Sequence, residues 1–361
     1  AVAAGDVDGD GIDEAIIFSP SAPAPGSRDR VSNTWVYKGR SSWPSRVIEL
    51  WSDLGAHTIP PGSFGALLYG VDSKDAWIQI GADPDLNVDF RINNVTCDDI
   101  NGDGKDDIMI VFWGADGPSN SGTERGEVRV IYGYSGLGSL NGSYPDTFNL
   151  ATQSNAVIYG EDDYDRMSRV YAADLIGNDN IMDIVAMSRQ ADGPANSRQS
   201  CGDGYVVMGK PSLDPTYHMP ADADVYIYGA EAFDRMEYAV PWTGAYGGII
   251  LGIGAGDGPN NQRTDCGELK WIDRNRFDQL TLPAAIDLAS FEVMMYAFGT
   301  SANDWMSYSG QMAVGDVDGN GNPDILAPSP VMCLNPPTCS STQGKATLIN
   351  GTTFGNSDID G

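Results

Sequence analysis

Short apolar stretches alternate along this chain with tight clusters of Asp, Asn and Gly, and the alternation repeats. Residues 2–17 (VAAGDVDGDGIDEAII), 95–110 (VTCDDINGDGKDDIMI) and 312–326 (MAVGDVDGNGNPDIL) overlay directly. Each enters through an apolar strand, turns through an acidic loop and leaves through a second apolar strand. Residues 170–185 fit with one extra loop residue, and residues 239–251 keep both strands but none of the acids. After each second strand comes a turn: Ala115-Asp116-Gly117-Pro118, Ala191-Asp192-Gly193-Pro194 and Gly256-Asp257-Gly258-Pro259. A Gly-led strand follows, then a linker such as VIYGEDDYDRM or VYIYGAEAFDRM.

The linker acids set the period. Asp165 and Asp234 stand 69 residues apart, and Asp234 and Asp304 stand 70 apart. A unit of that length holding about four strands cannot bury both faces of its sheet alone, but copies stacked radially can. The pattern therefore predicts an all-β fold. It is a single β-propeller over 1–361 with about five four-stranded blades, in approximate repeats 1–94, 95–169, 170–239, 240–312 and 313–361. Six or seven blades are the alternative, because the last copy ends at Gly361 without an evident fourth strand and further residues or another chain would complete it.

Charge sharpens this picture. Acids outnumber bases by 50 to 21, a formal charge of −29. Such a surface repels nucleic acid and anionic membranes. No apolar run approaches the length of about 18 residues that a membrane helix needs. Much of the charge sits in the loops, where clustered carboxylates repel one another unless a cation lies between them. Calcium takes six to eight hard oxygens in a flexible shell. Alternate positions of the first loop supply Asp6, Asp8, Asp10 and Glu14, with the Ile12 carbonyl. The second supplies Asp99, Asn101, Asp103 and Asp107, with the Lys105 carbonyl. The last supplies Asp316, Asp318, Asn320 and Asp324, with the Asn322 carbonyl. Asp174, Asn178 and Asp183 form a weaker fourth set, since Ile176 stands where a ligand is expected. About three calcium ions are expected, four if that loop is filled.

These loops resemble the FG-GAP repeats of integrin α heads and related secreted propellers. The pairs Tyr69-Gly70, Tyr159-Gly160, Tyr228-Gly229 and Phe298-Gly299 stand where that family has Phe-Gly, and Ala327-Pro328 resembles its closing pair. The resemblance implies calcium loops on one face and partner docking on the other, where the DGP turns and YG linkers emerge near Trp77, Tyr164, Phe233 and Trp305; these four rings are read first as wedges between blades and only second as part of a docking face. It points to an extracellular adhesion or assembly module that binds protein partners or itself, with lectin-type glycan binding as the alternative. Catalysis is not expected: His57 and His218 lack any nucleophile motif, and a polysaccharide-degrading enzyme is the remaining enzymatic reading. Sequons at Asn94, Asn141 and Asn350 suit an extracellular glycoprotein. Cys333 and Cys339 flank a Pro-rich loop and suit a local disulfide. Cys201 and Cys266 occupy equivalent repeat positions and form a second candidate pair, while Cys97 falls in an inner strand as a buried thiol.

Overall fold

The computed structural model describes residues 1–19, 32–39, 66–70, 94–135, 137, 146–244, 246–290, 295–308, 312–329, 344–351 and 359–360. The chain is mostly β, and its described residues form five small sheets. The first sheet runs Val2–Gly5, Glu14–Ser19, Asn33–Tyr37 and Ala66–Tyr69, each strand antiparallel to the last. The second repeats this with Val95–Asp98, Asp107–Phe112, Glu127–Ile131 and Ala156–Tyr159. The third uses Met167–Ala173, Asp183–Ser188, Asp203–Val207 and Val225–Tyr228. The fourth uses Met236–Pro241, Ile249–Ile253, Glu268–Ile272 and Met295–Phe298. The fifth comprises Ala313–Gly315, Asp324–Ser329 and Lys345–Ile349. The third and fourth sheets begin at Met167 and Met236, both fully buried and already paired.

Four-stranded sheets were expected, and here the structure corrects the sequence reading. The first four sheets each carry a fifth strand, added in parallel and taken from the following repeat. Asp146–Asn149 joins the first sheet and Thr216–His218 the second. Ala284–Asp287 joins the third and Ile359–Asp360 the fourth. A strand edge left bare invites pairing with another chain, and these short strands cover it.

Second strands such as Asp107–Phe112 and Asp183–Ser188 are buried at every residue. Side chains alternate between faces along a strand, so each such strand serves two cores. Ile108 and Ile110 pack with Ile16, Val36 and Leu68 of the first sheet. Met109 and Val111 pack with Val170, Ile184 and Val207 of the third. The pattern continues with Val185, Val206, Leu251 and Ile253 between the third and fourth sheets, and Ile250, Trp271, Ile325 and Ala327 between the fourth and fifth. Each fully buried side chain of this size contributes about 1.5–3 kcal/mol. The first strands of successive sheets are neighbours throughout the series. No helix among the described residues is long and apolar enough to cross a membrane.

Candidate metal-binding loops

Each acidic loop joins the first strand of a sheet to the second. The strands are antiparallel, so the DGP turns and the linkers emerge at the opposite end. The chain reverses within a few residues, which requires left-handed backbone twice. Gly9 and Gly11 supply it in the first loop (φ 75° and 86°), Gly102 and Gly104 in the second, Gly319 and Gly321 in the last. Glycine adopts this conformation without steric cost. In the fourth candidate loop Gly177, Asn178 and Asn180 take it instead, so Asn178 serves as a turn residue.

The first acid of each loop gathers backbone N–H groups. Asp6 accepts from Asp10 (3.0 Å) and Gly11 (2.9 Å). Asp99 accepts from Gly102 (2.7 Å) and Gly104 (2.8 Å), and Asp316 from Asn320 (3.0 Å) and Gly321 (2.9 Å). The last acid is an anchor. Glu14 accepts from Val7, Asp8 and Gly39. Asp107 does the same with Ile100 and Gly133, Asp183 with Leu175, Ile176 and Gly209, and Asp324 with Val317 and Gly351. A single carboxylate thus ties the loop to the end of the third strand in four sheets. Burial pushes the Asp107 and Asp183 carboxyls up to about 7, against the opposite pull of these N–H donors, and raises Glu14 for the same first reason.

Among the described residues two loops bring three carboxylates within 4.8 Å of one another: Asp6, Asp8 and Glu14, and Asp316, Asp318 and Asp324. Both sets could hold a metal ion, and their all-oxygen donors suit a hard cation. Three like charges at that spacing repel by roughly 1–4 kcal/mol per pair, depending on solvent access. In the second loop Asn101 turns its amide toward Asp107 (3.1 Å), and Lys105 sends its ammonium to Asp103 (3.4 Å). In the fourth, the Arg274 guanidinium reaches Asp174 from the next repeat (3.3 Å).

Sequence reasoning missed the groups that answer the loops from other strands. Lys38 donates to Asp8 and lies 2.9 Å from Asp10. Those bonds, to Asp8 first, raise the ammonium well above the usual lysine range. Asn350, at the equivalent point of the fifth sheet, donates to Asp318 (2.8 Å). Asp106 accepts the Asp6 N–H (2.8 Å) and so links the first two loops. The signal was the residue before the strand-ending glycines Gly39 and Gly351.

Other expected sites resolve as follows. Asn94 is 3% exposed, and its amide both donates to and accepts from the Val170 backbone (2.7 and 2.8 Å). A glycan acceptor must reach solvent, so Asn94 is instead a buried bridge between the second and third sheets. Cys201 and Cys266 are buried free thiols, not a disulfide. Cys97 is also free and half-buried. Asn141, Trp77, Cys333 and Cys339 lie outside the described residues. Tyr164 and Phe233 are exposed, whereas Trp305 is buried against Tyr308.

No protein-family model matches the chain, and no curated protein matches it either. Solved structures to which it is similar include rhamnogalacturonan lyase YesW, at 13% identity and TM-score 0.37, over 90% of this chain and 46% of that one. The exotype rhamnogalacturonan lyase YesX aligns at 12% identity and TM-score 0.38, over 90% and 44%. Rhamnogalacturonan lyase PL11 of Bacillus licheniformis aligns at 13% identity and TM-score 0.28, over 91% and 40%. The chain spans less than half the length of each.

Proposed function

We propose that the chain is a calcium-stabilised β-propeller of the FG-GAP type, with the five sheets as blades. In this reading it acts outside the cell as an adhesion or assembly module that binds protein partners or copies of itself. The observation that carries the reading is recurrence. Anchored acidic loops stand at the same strand junction of the first, second, third and fifth sheets, and two of them gather three carboxylates each. Asp6, Asp8 and Glu14 hold one ion, and Asp316, Asp318 and Asp324 another. Asp99, Asn101, Asp103 and Asp107 hold a third once Asn101 turns its oxygen inward. Bound calcium supplies the positive charge that cancels carboxylate repulsion. Asp316 and Asp318 of the last loop are exposed, which suits the weak affinities, about 10⁻⁴–10⁻³ M, of extracellular calcium modules.

Tyr164 and Phe233 support docking at the opposite end. They occupy equivalent linker positions, are 57% and 53% exposed, and have φ of 70° and 71°. Exposed aromatic anchors on a rigid frame are what a protein interface uses. Calcium titration with thermal melting tests the first half of the reading, and a melting temperature indifferent to chelator overturns it. Cell attachment to a surface coated with the chain, together with sedimentation velocity, tests the second. Calcium-dependent attachment or self-association, lost in the Tyr164→Ser/Phe233→Ser variant with melting unchanged, is the expected result. A chain inert in both assays, or one that cleaves acidic polysaccharides, overturns the binding role.

A further inference from the structure

A cavity of about 270 Å³ opens between the linker ahead of the fourth sheet and that sheet's DGP turn, at the end away from the acidic loops. Glu231, Asp234, Asn261, Glu268, Lys270 and Phe298 line it. Its repeat equivalents show what is unusual here. In the preceding linker Asp165 accepts the Asp162 N–H (3.1 Å). In the following one Asp304 accepts the Ser301 N–H (2.9 Å), the Thr300 hydroxyl and the Lys345 ammonium. Asp234 is 7% exposed, yet its carboxylate accepts no hydrogen bond among the described residues. The other two acids are engaged. Glu268 accepts the Gly258 N–H (2.9 Å) and pairs with Lys270 (3.3 Å), and Glu231 accepts the Asn261 amide (2.8 Å). The space itself has a cause. The third sheet puts fully buried Tyr205 at the Lys270 position, with its hydroxyl on Glu161 (3.0 Å), whereas the fourth sheet carries the slimmer Lys270 chain at that point.

Once Asp234 is ionised, three carboxylates stand against one ammonium and leave the cavity short of positive charge. Asp234 is hemmed in by its neighbours, but its side chain lines this space with no donor from a described residue. These acids do not converge within 4.8 Å as the loop acids do, and Phe298 and Pro259 offer apolar wall. We propose that this cavity binds a small primary alkylammonium ion, whose N–H groups donate to Asp234 while its alkyl chain lies against Phe298. The cavity is slightly smaller than the roughly 300–1,000 Å³ of drug-sized sites, which limits the ligand to a few carbons. This site does not depend on the calcium reading.

Titration of the calcium-saturated full chain with n-butylammonium at about pH 9, where Asp234 is ionised and the amine still carries its proton, followed by calorimetry or NMR, is the test. Saturable one-to-one binding is expected, weakened about tenfold or more in Asp234→Asn, since a hydrogen bond to a charged group is lost. Lys270→Tyr, which restores the filling seen in the third sheet, abolishes it. Tetramethylammonium, which has no N–H donor, binds at least about tenfold more weakly. Asp234→Asn melts no lower than the parent, because no described residue donates a hydrogen bond to the side chain it replaces. Absence of saturation by about 10 mM overturns the proposal. So does equal affinity in Asp234→Asn, or equal binding of tetramethylammonium.

Discussion

Lys38 stands where the first loop needs positive charge, on Asp8 and beside Asp10. A cation entering between Asp6, Asp8 and Glu14 must compete with that ammonium, whereas the last loop has Asn350 at the equivalent point. Lys38→Met removes the competitor, so calcium affinity at the first loop rises by on the order of tenfold, the worth of one charge-assisted hydrogen bond. The same variant melts lower in chelator, where the ammonium was the only balance for those acids among the described residues. Calorimetric calcium titration of the variant beside the parent checks both effects, and unchanged affinity rules out the competition. The acids themselves were readable in sequence, because ligand spacing is local to one hairpin. Lys38 and Arg274 were not. Lys38 lies 30 residues from Asp8 and Arg274 lies 100 from Asp174, and only strand pairing and sheet stacking bring them near.

At the scale of the strand, alternation of apolar and polar positions predicted the four-stranded meander and the loop-turn-linker order. The covering strands escaped because they are two to four residues long and sit in polar linkers, as in Thr216–His218. Their partners also belong to the preceding repeat, and a period carries no information about which copy pairs with which. Ala284–Asp287 shows that such a strand is structural. Ile286 is fully buried with Val225, Ile227 and Phe277, while its neighbour Ala285 is exposed. Ile286→Ala should destabilise the chain by about 2–5 kcal/mol, the usual cost of a truncated core side chain. Ala285→Ser should change stability by less than about 0.5 kcal/mol. Denaturant melts of the two variants decide the matter. Equal stability would mean that the strand merely rests on the third sheet.

For the whole molecule, the buried acids away from the loops fix how stability responds to pH. Burial pushes Asp165 and Asp203 up to about 7 and Asp234 up to about 8. The ordinary aspartate value is near 4. Between roughly pH 4 and 8 the folded chain therefore holds more protons than the unfolded one, and its stability falls as pH rises through that window. Each unit of upward shift disfavours the ionised fold by about 1.4 kcal/mol. Self-repulsion of a chain carrying −29 acts in the same direction. In chelator, then, the melting temperature should climb by several degrees when pH drops from 8 to 5. With calcium present the climb should shrink or reverse, because protons and metal compete for the loop carboxylates. Below about pH 4 the trend must turn over. Asp163 and Asp287, held low chiefly by hydrogen bonds from Arg125 and Arg198, and Asp304, held low by Lys345 against its own burial, then lose their charge and their partners. Scanning melts from pH 3 to 8, with and without chelator, would expose both limbs. A chelated chain that melts lower at pH 5 than at pH 8 would mean that these carboxylates ionise freely inside the fold, through water that reaches them between the sheets.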